Sequence, residues 1–218
     1  MSVPPVADRA FMIYRLAALE QDPIDRILAR GISASDVTGI VAALRRVGVP
    51  VDADALIQSK FKASPHYPSR YPTPFPPGRY SDGSFPVFYS ALNERTALAE
   101  MTHTVATSGE YSERTFYFRV FTCQYAGTTR DFTTTSPSIP EMIADKVVGW
   151  PFCQAIGATA RKDGVDGLVV PSARNREADG ICTPVLSQAS LQSPSPHDIA
   201  GIQKARDKTI IVGASKSH

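Results

Sequence analysis

Residues 77–91 read Pro-Gly-Arg-Tyr-Ser-Asp-Gly-Ser-Phe-Pro-Val-Phe-Tyr-Ser-Ala, and the character of the chain changes at this stretch. Just upstream, Ser64–Pro77 holds six prolines, whose missing backbone N–H groups exclude a regular helix or a central strand. Downstream, short runs of aromatic and β-branched residues are typical of strands. We therefore expect a boundary here, with a small helical N-terminal extension over residues 1–60 and the main domain over residues 61–218.

The main domain mixes strands with a few helices. Asn93 predicts the cap of a helix that runs through His103, and a second helix is predicted from Trp150 to Lys162. Strands and helices do not alternate regularly, so the pattern predicts an α+β fold with a mixed β core and flanking helices. The predicted strands are 79–81, 87–91, 115–122, 127–132, 168–170, 183–186 and 209–212.

The N-terminal extension is predicted to be helical throughout. Apolar residues between Phe11 and Leu19 indicate a first amphipathic helix, and an apolar stripe from Val37 to Leu44 indicates another, capped by Ser33 or Ser35. Asp52 and Asp54 begin a further short helix. Three roles stay open for the extension: covering the core, building an interface between copies of the chain, or binding a partner protein. Packing against the core is the default expectation.

Charge and hydropathy exclude two classes of protein. The 218 residues include 23 basic and 21 acidic side chains, with no concentrated basic face of the kind that nucleic-acid-binding proteins present. Ser33–Ile40 loosely resembles a helix-turn-helix, but the near-neutral charge argues against direct DNA binding. Because no apolar run approaches the roughly 20 residues that span a bilayer, a membrane protein is not expected. The first residues also lack the order of a signal peptide.

The cysteines and histidines indicate a protein of a reducing compartment. Cys123, Cys153 and Cys182 are odd in number and lack the Cys-x-x-Cys spacing, which argues against a disulfide framework or a zinc cluster. The four histidines lack metal-ligand spacing as well. We therefore expect a cytoplasmic protein without a structural metal.

An arginine, an aromatic residue and an acid on neighbouring short elements form a candidate site. Arg79 can bind a phosphate with its rigid fork, Tyr89 can stack on a flat ring, and Glu100 can stabilise positive charge on a ribose. Such a set suits a dinucleotide. Taken singly, each has an ordinary explanation: Arg79 as a surface partner of Asp82 or Glu94, Tyr89 as a core residue, and Glu100 as a carboxylate in water at the edge of a helix stripe.

Ser172 is a further candidate, at the end of a predicted apolar strand. Pro171 ends that strand, so Ser172 falls at its C-terminal lip, where ligand-binding groups are common. No Ser-His-Asp or Ser-Lys context surrounds it, which argues against a nucleophile. A hydroxyl that orients a ligand is the favoured interpretation, and a turn serine that satisfies local backbone groups is the alternative.

An ordered set of short motifs resembles the RES-domain family, which is named for an arginine, a glutamate and a serine. The motifs span roughly residues 60 to 215, and their order and spacing are more specific than any one of them. They are Gly78-Arg-Tyr-Ser81, Val87-Phe-Tyr-Ser-Ala91, Ala97-Leu-Ala-Glu100, Gly164-Val-Asp-Gly-Leu168 and Pro171-Ser-Ala-Arg174.

The resemblance implies a fold, an activity and a partner. RES proteins are usually toxins of bacterial toxin–antitoxin pairs, have a fold like that of ADP-ribosyltransferases, and are neutralised by an Xre-type antitoxin. Family members act on NAD+ as substrate, and the chemistry needs no metal or prosthetic group. By resemblance, the catalytic residues are Arg79, Tyr89 and Glu100. The substrate-binding residues are Arg79, Tyr80, Ser81, Tyr89 and Ser172.

The leading hypothesis is therefore an NAD-consuming toxin that cleaves the nicotinamide–ribose bond as a glycohydrolase or a phosphorylase. A mono-ADP-ribosyltransferase that modifies a cellular protein is the alternative at the same site. A catalytically silent nucleotide-binding or interaction module is the alternative of a different class. The sequence leaves open the acceptor, the identity of the antitoxin and whether the chain forms a homo-oligomer.

Overall fold

Seven strands and five helices make up the described part of the chain. This computed structural model describes residues 3–19, 24, 28–33, 35–47, 52–63, 72–107, 115–133, 139–144, 146–204 and 209–212. The strands are β1 (Val6–Ala18), β2 (Phe88–Ala91), β3 (Thr115–Asp131), β4 (Gly167–Pro171), β5 (Ile181–Val185), β6 (Leu191–Lys204) and β7 (Thr209–Val212). The helices are α1 (Val37–Val47), α2 (Ala53–Phe61), α3 (Glu94–Thr107), α4 (Ile139–Ile143) and α5 (Lys146–Lys162), with 3-10 turns at Arg176–Ala178 and Gln188–Ser190.

The strands form one mixed sheet, which confirms the predicted α+β class. Their order is β1-β2-β5-β4-β3-β6-β7, and β1 also pairs with β3. β3 and β4 run parallel, whereas the other pairs are antiparallel. Because β1 pairs with both β2 and β3, the strands β1, β3, β4, β5 and β2 form a closed circuit, and β6 and β7 extend it from β3.

The closure of this circuit brings three distant parts of the chain into one row. Tyr14 of β1 lies opposite Ala91 of β2, and Ala91 lies opposite Cys182 of β5. Helix α3 follows β2 after a short turn, and the side chain of Asn93 caps it by accepting the Thr96 N–H at 2.8 Å, as predicted. The helix therefore starts beside this row.

The predicted helix over Phe11–Leu19 is wrong: this segment belongs to β1. All 13 residues of β1 pair with β3, so residues 6–18 share the sheet of the main domain. Its two buried positions, Ile13 and Leu16, have odd and even numbers and thus lie on opposite faces of the strand. Ile13 packs in a cluster with Ile57 of α2, and Leu16 packs in another with Leu98 of α3.

The other two predicted helices of the N-terminal region are present as α1 and α2. The predicted stripe from Val37 to Leu44 is buried and packs on Tyr117 and Ile199 of the sheet. The cap of α1 is Asp36 rather than Ser33 or Ser35, because the Asp36 carboxylate accepts the Gly39 N–H at 2.8 Å. Asp52 caps α2 as expected, by accepting the Ala55 N–H at 2.8 Å.

Proline and turn geometry account for the strand predictions that differ from the structure. Residues 79–81 form a turn with a single Gly78–Ser81 bridge instead of a strand. The predicted strands 115–122 and 127–132 are one continuous strand, β3. The 14-residue strand β6 is not among the predicted strands. It contains Pro194 and Pro196, and its pairing with β3 has register shifts near these two prolines.

The proline-rich boundary is only partly visible. Residues 64–71 lie outside the described residues, and residues 72–77 contain neither a helix nor a strand, as predicted. Among the helices of the described ranges, none is long and apolar enough to cross a membrane.

Candidate active site

A tight turn carries Arg79 and Ser81. The Gly78 N–H donates to the Ser81 carbonyl at 2.7 Å, and the Gln154 side-chain amide of α5 donates to the Gly78 carbonyl at 2.9 Å. The Ser81 hydroxyl donates to the Phe85 carbonyl at 2.6 Å and accepts the Gly83 N–H at 3.0 Å. Ser81 is therefore placed where it shapes the loop from 81 to 85, and its side chain is buried.

Tyr80 and Tyr89 are joined through this turn. The Tyr80 backbone N–H donates to the Tyr89 hydroxyl at 3.0 Å. Burial raises the pKa of Tyr89 to about 12, so the phenol is neutral at ordinary pH and accepts this bond as a hydroxyl. The Tyr80 side chain is only 2% exposed and packs in the core with Cys153 and Leu168, so the structure does not bring its ring to a cavity wall.

Arg79 is partly buried against the end of α4. Its Nη1 donates to the Met142 carbonyl at 2.8 Å and to the Ala144 carbonyl at 2.9 Å. Carbonyls at a helix C-terminus lack intrahelical partners and carry partial negative charge, which a guanidinium satisfies. Arg79 therefore anchors α4 beside the site.

Glu100 and Ser172, 72 residues apart in the chain, meet directly. The Ser172 hydroxyl donates to Glu100 Oε1 at 2.6 Å and accepts the backbone N–H groups of Arg174 at 3.1 Å and Asn175 at 3.0 Å. A hydroxyl has one proton and two lone pairs, so all three are in use. The Ser172 hydroxyl proton therefore points to Glu100, and this hydrogen bond holds the Glu100 carboxylate in one orientation. Within the described chain, Oε2 accepts no hydrogen bond.

A cavity of about 320 Å³, called here the first cavity, lies beside this pair. It is open to solvent on one side and lined mainly by apolar atoms. Glu100 of α3 and Tyr89 of β2 both line it, whereas Arg79, Tyr80, Ser81 and Ser172 do not. The row described above forms part of its wall. The wall residues used below are Tyr14, Arg15, Tyr89, Ala91, Glu100 and Cys182.

Arg15 is a site residue that sequence reasoning missed. It lies on β1 and lines the first cavity, with its guanidinium carbon 4.7 Å from the centre of the Phe88 ring and Nη1 donating to the Tyr89 carbonyl. Burial lowers its pKa to about 10, at which it is still cationic at neutral pH. The signal in the sequence is a single charge between the apolar residues Ile13 and Leu16.

Positive charge surrounds Glu100. Burial lowers the pKa of His103, one turn along α3, and the guanidinium groups of Arg174 and Arg79 lower it further, while Glu100 acts in the opposite direction. Burial lowers the pKa of Arg174, Glu100 raises it, and the guanidinium groups of Arg79 and Arg176 lower it. One carboxylate thus shares its surroundings with several cations, an arrangement that favours an anionic ligand.

The three cysteines are free, and Cys182 lies at the site. Its Sγ is 3.5 Å from Glu100 Oε1. Burial and then the Glu100 charge raise the pKa of this thiol, so it is protonated and a poor nucleophile at neutral pH. In the part of the chain that the structure describes, no three His, Cys, Asp or Glu side chains cluster as a metal site would require.

No curated protein sequence matches this chain. Among solved structures, the crystal structure of the M. tuberculosis MbcT–MbcA toxin–antitoxin complex is similar over 88% of this chain and 87% of that chain, with 15% identity and a TM-score of 0.45. A family model described as the RES domain matches residues 45–198. That range contains Arg79, Tyr89, Glu100 and Ser172 in order, so the chain belongs to the RES-domain family.

Proposed function

We propose that this protein consumes NAD+ by cleaving the bond between nicotinamide and ribose, with water or phosphate as acceptor. Family membership supports an NAD-related toxin at the level of the family. The observation that supports cleavage is the Glu100–Ser172 pair, because it fixes a carboxylate in one orientation at the wall of an open cavity that also presents Tyr89 and Arg15.

The chemistry suits a fixed carboxylate. When the C1′–N1 bond breaks, its electron pair leaves with nicotinamide, and positive charge develops on the ribose. Glu100 would stabilise that charge and accept a hydrogen bond from a ribose hydroxyl with the oxygen that Ser172 does not contact. The acceptor oxygen then attacks C1′, and with water as acceptor a proton is released. The products are nicotinamide and ADP-ribose.

The remaining residues take binding and positioning roles. Tyr89 would contact the nicotinamide or its ribose as a neutral phenol. Arg15 fixes the backbone at Tyr89 and contributes positive charge to the first cavity. Arg79 would act near the phosphates, from its position at the end of α4. Tyr80 and Ser81 would act through the turn that they stabilise.

The test is nicotinamide release from NAD+ by the purified protein, followed by chromatography. Glu100→Gln keeps the size of the side chain and removes its charge, so turnover should fall by about 100-fold or more. Glu94→Gln, on the same helix but outside the first cavity, is the matched control and should retain turnover. Release that is unchanged in Glu100→Gln would remove the proposed role of this residue.

The acceptor is read from the products of the same assay. ADP-ribose indicates water, and a phosphorylated ADP-ribose indicates phosphate. Label that moves from NAD+ to protein in a cell extract, without release in buffer, would favour the transferase. If neither nicotinamide release nor label transfer is detected, a catalytically silent binding module is favoured.

Membership in the family also leads us to propose that the chain is toxic in the cytoplasm and that an Xre-type antitoxin neutralises it. Expression of the wild-type chain should then stop growth and deplete NAD+, whereas Glu100→Gln should do neither. Equal growth arrest by both proteins would separate toxicity from the proposed chemistry.

A further inference from the structure

A second hydrogen bond joins the loop after β4 to helix α3. The Asn175 side-chain amide donates to the Thr96 hydroxyl at 2.9 Å. Thr96 lies four residues before Glu100, which accepts the Ser172 hydroxyl at 2.6 Å. Because residues four apart lie on one face of a helix, both contacts are made on the same face of α3. The loop is therefore attached to α3 at two points, through side chains only three residues apart.

The backbone of Asn175 also belongs to the network around Ser172. Its N–H donates to the Ser172 hydroxyl oxygen at 3.0 Å, and its carbonyl accepts the Gly180 N–H at 2.8 Å. The Gly180 carbonyl in turn accepts the Ser172 N–H at 2.7 Å, which closes the loop on itself. Asn175 thus connects Ser172 to Thr96 with its backbone at one end and its side chain at the other.

Gly180 leaves the space in which Asn175 lies. A Cβ at position 180 would be 2.7 Å from the Asn175 Cβ and 2.9 Å from its Nδ2, closer than unbonded atoms of a folded protein approach. The φ of Gly180 is not among the positive ones, so the backbone conformation does not require glycine here. The missing side chain at position 180 therefore permits the contact between Asn175 and Thr96.

Asn175 stands apart from the cavity that Glu100 lines. Neither Asn175 nor Thr96 belongs to the wall of the first cavity, and Asn175 lines a second cavity of about 530 Å³ instead. A substrate in the first cavity would meet Glu100 and not Asn175. Any effect of Asn175 on the reaction must therefore pass through Ser172. Thr96 is fully buried, so its hydroxyl has no water to replace the amide of Asn175.

We infer that Asn175 is a positioning residue, which holds the loop after β4 against α3 so that the Ser172 hydroxyl points at Glu100. Without the contact to Thr96, the loop keeps only the Ser172–Glu100 bond to this face of the helix, and Ser172 can turn away from the carboxylate. The effect on nicotinamide release rests on the proposed function, whereas the effect on the orientation of Ser172 does not.

Amide hydrogen exchange, followed by NMR on the full chain, tests the orientation of Ser172 without turnover. Asn175→Ala removes the side-chain amide and keeps the backbone N–H. The amides of Arg174 and residue 175 should exchange about tenfold faster in this variant, because the Ser172 oxygen that accepts them is no longer held in place. The amides of strand β4 should exchange as in the wild type, which separates a local change from general destabilisation.

The second measurement is nicotinamide release. Asn175→Ala and Thr96→Val should each lower kcat by about tenfold and leave KM nearly unchanged, because neither residue contacts the substrate. In a Ser172→Ala background, Asn175→Ala should cause no further loss of kcat, since the residue it acts through is already absent. Thr129→Val is the control and should retain kcat: Thr129 is buried in β3, and its hydroxyl donates to the Ala7 carbonyl at 3.3 Å.

Unchanged exchange of the Arg174 and residue 175 amides in Asn175→Ala would overturn the inference, and so would equally faster exchange throughout β4. Losses of kcat that add in the Asn175 and Ser172 double variant would also overturn it, because they would show that Asn175 acts independently of Ser172. Locally faster exchange in a protein whose wild type releases no nicotinamide would retain the positioning role and remove the cleavage activity. Release with unchanged exchange would retain the activity and remove the role of Asn175.

Discussion

Ser172 donates its only hydroxyl proton to Glu100 Oε1 at 2.6 Å, while two backbone N–H groups occupy its lone pairs. This saturation makes the serine a fixed donor, in contrast to an ordinary surface hydroxyl that rotates. The backbone groups belong to Arg174 and Asn175, so the loop that follows β4 and the helix that carries Glu100 are linked through one oxygen atom. The orientation of the acid thus depends on the loop.

Ser172→Ala should lower turnover by about 10- to 100-fold with a smaller effect on KM, because Glu100 loses the donor that orients it. The same change leaves the N–H groups of Arg174 and Asn175 without their acceptor, which should lower the free energy of unfolding by about 1–3 kcal/mol. Nicotinamide release and urea unfolding measure the two effects.

Ser190→Ala is the matched control for this variant. Ser190 is also buried, at 2% exposure, donates to the Ser187 carbonyl at 2.8 Å, and does not line the first cavity. Ser190→Ala should lower the free energy of unfolding and leave the turnover unchanged. A similar loss of turnover in both serine variants would mean that the effect of Ser172 is general destabilisation.

Arg15→Met should reduce turnover by about 100-fold while the protein stays folded. The variant removes the positive charge from the first cavity and leaves the Tyr89 carbonyl without its donor, although the new side chain still packs on Phe88. Arg9→Met on the same strand is the control, since the Arg9 side chain is half exposed and, among the described residues, forms a 3.8 Å ion pair with Asp131. Equal activity of the two variants would contradict a role for Arg15 in the site.

Gly78 and Tyr89 should be energetically coupled. A Cβ at position 78 would collide with the Tyr89 hydroxyl, so Gly78→Ala should destabilise the protein by about 1–3 kcal/mol and displace the ring from the first cavity. Tyr89→Phe removes the colliding oxygen. The double variant should therefore be more stable than the sum of the two single effects, and denaturant unfolding of all four proteins measures this coupling. If the effects of the two substitutions on the free energy of unfolding are strictly additive, the turn at Gly78 moves to make room for the new methyl group and the Tyr89 ring stays in place.

The local parts of the site could be predicted from the sequence. Asn93 caps α3, and the apolar stripe of that helix places Glu100 on its flank, both of which depend on neighbours within a few residues. Pro171 ends β4 and places Ser172 at the lip of the strand for the same reason. The 2.6 Å contact between Glu100 and Ser172 could not be predicted, because it depends on how β2, β5 and β4 are ordered in the sheet.

Strand β1 shows why other parts of the fold and of the site could not be predicted from the sequence. A strand that is buried on one face alternates apolar and polar residues, but β1 packs on α2 through Ile13 and on α3 through Leu16. Two buried residues three positions apart imitate a helical stripe. The pairing that defines the strand is with β3, between residues at least 100 positions apart, and no local sequence pattern indicates it. Arg15 was missed with the strand that carries it.

The carboxyl of Glu94 should make stability depend on pH. It is 7% exposed at the start of α3, and burial raises its pKa. His197 and Arg45 lower this pKa, and Asp198 raises it.

Since the folded pKa of Glu94 lies above the unfolded value near 4.5, the stabilising contribution of the protonated group is present below that value and is lost as the pH rises through the folded pKa. Glu94→Gln has no such loss, so its free energy of unfolding should increase relative to that of the wild type as the pH rises from about 4.5 through the folded pKa of Glu94. Urea unfolding across that range measures the difference, and a constant difference would show that the carboxylate is not desolvated.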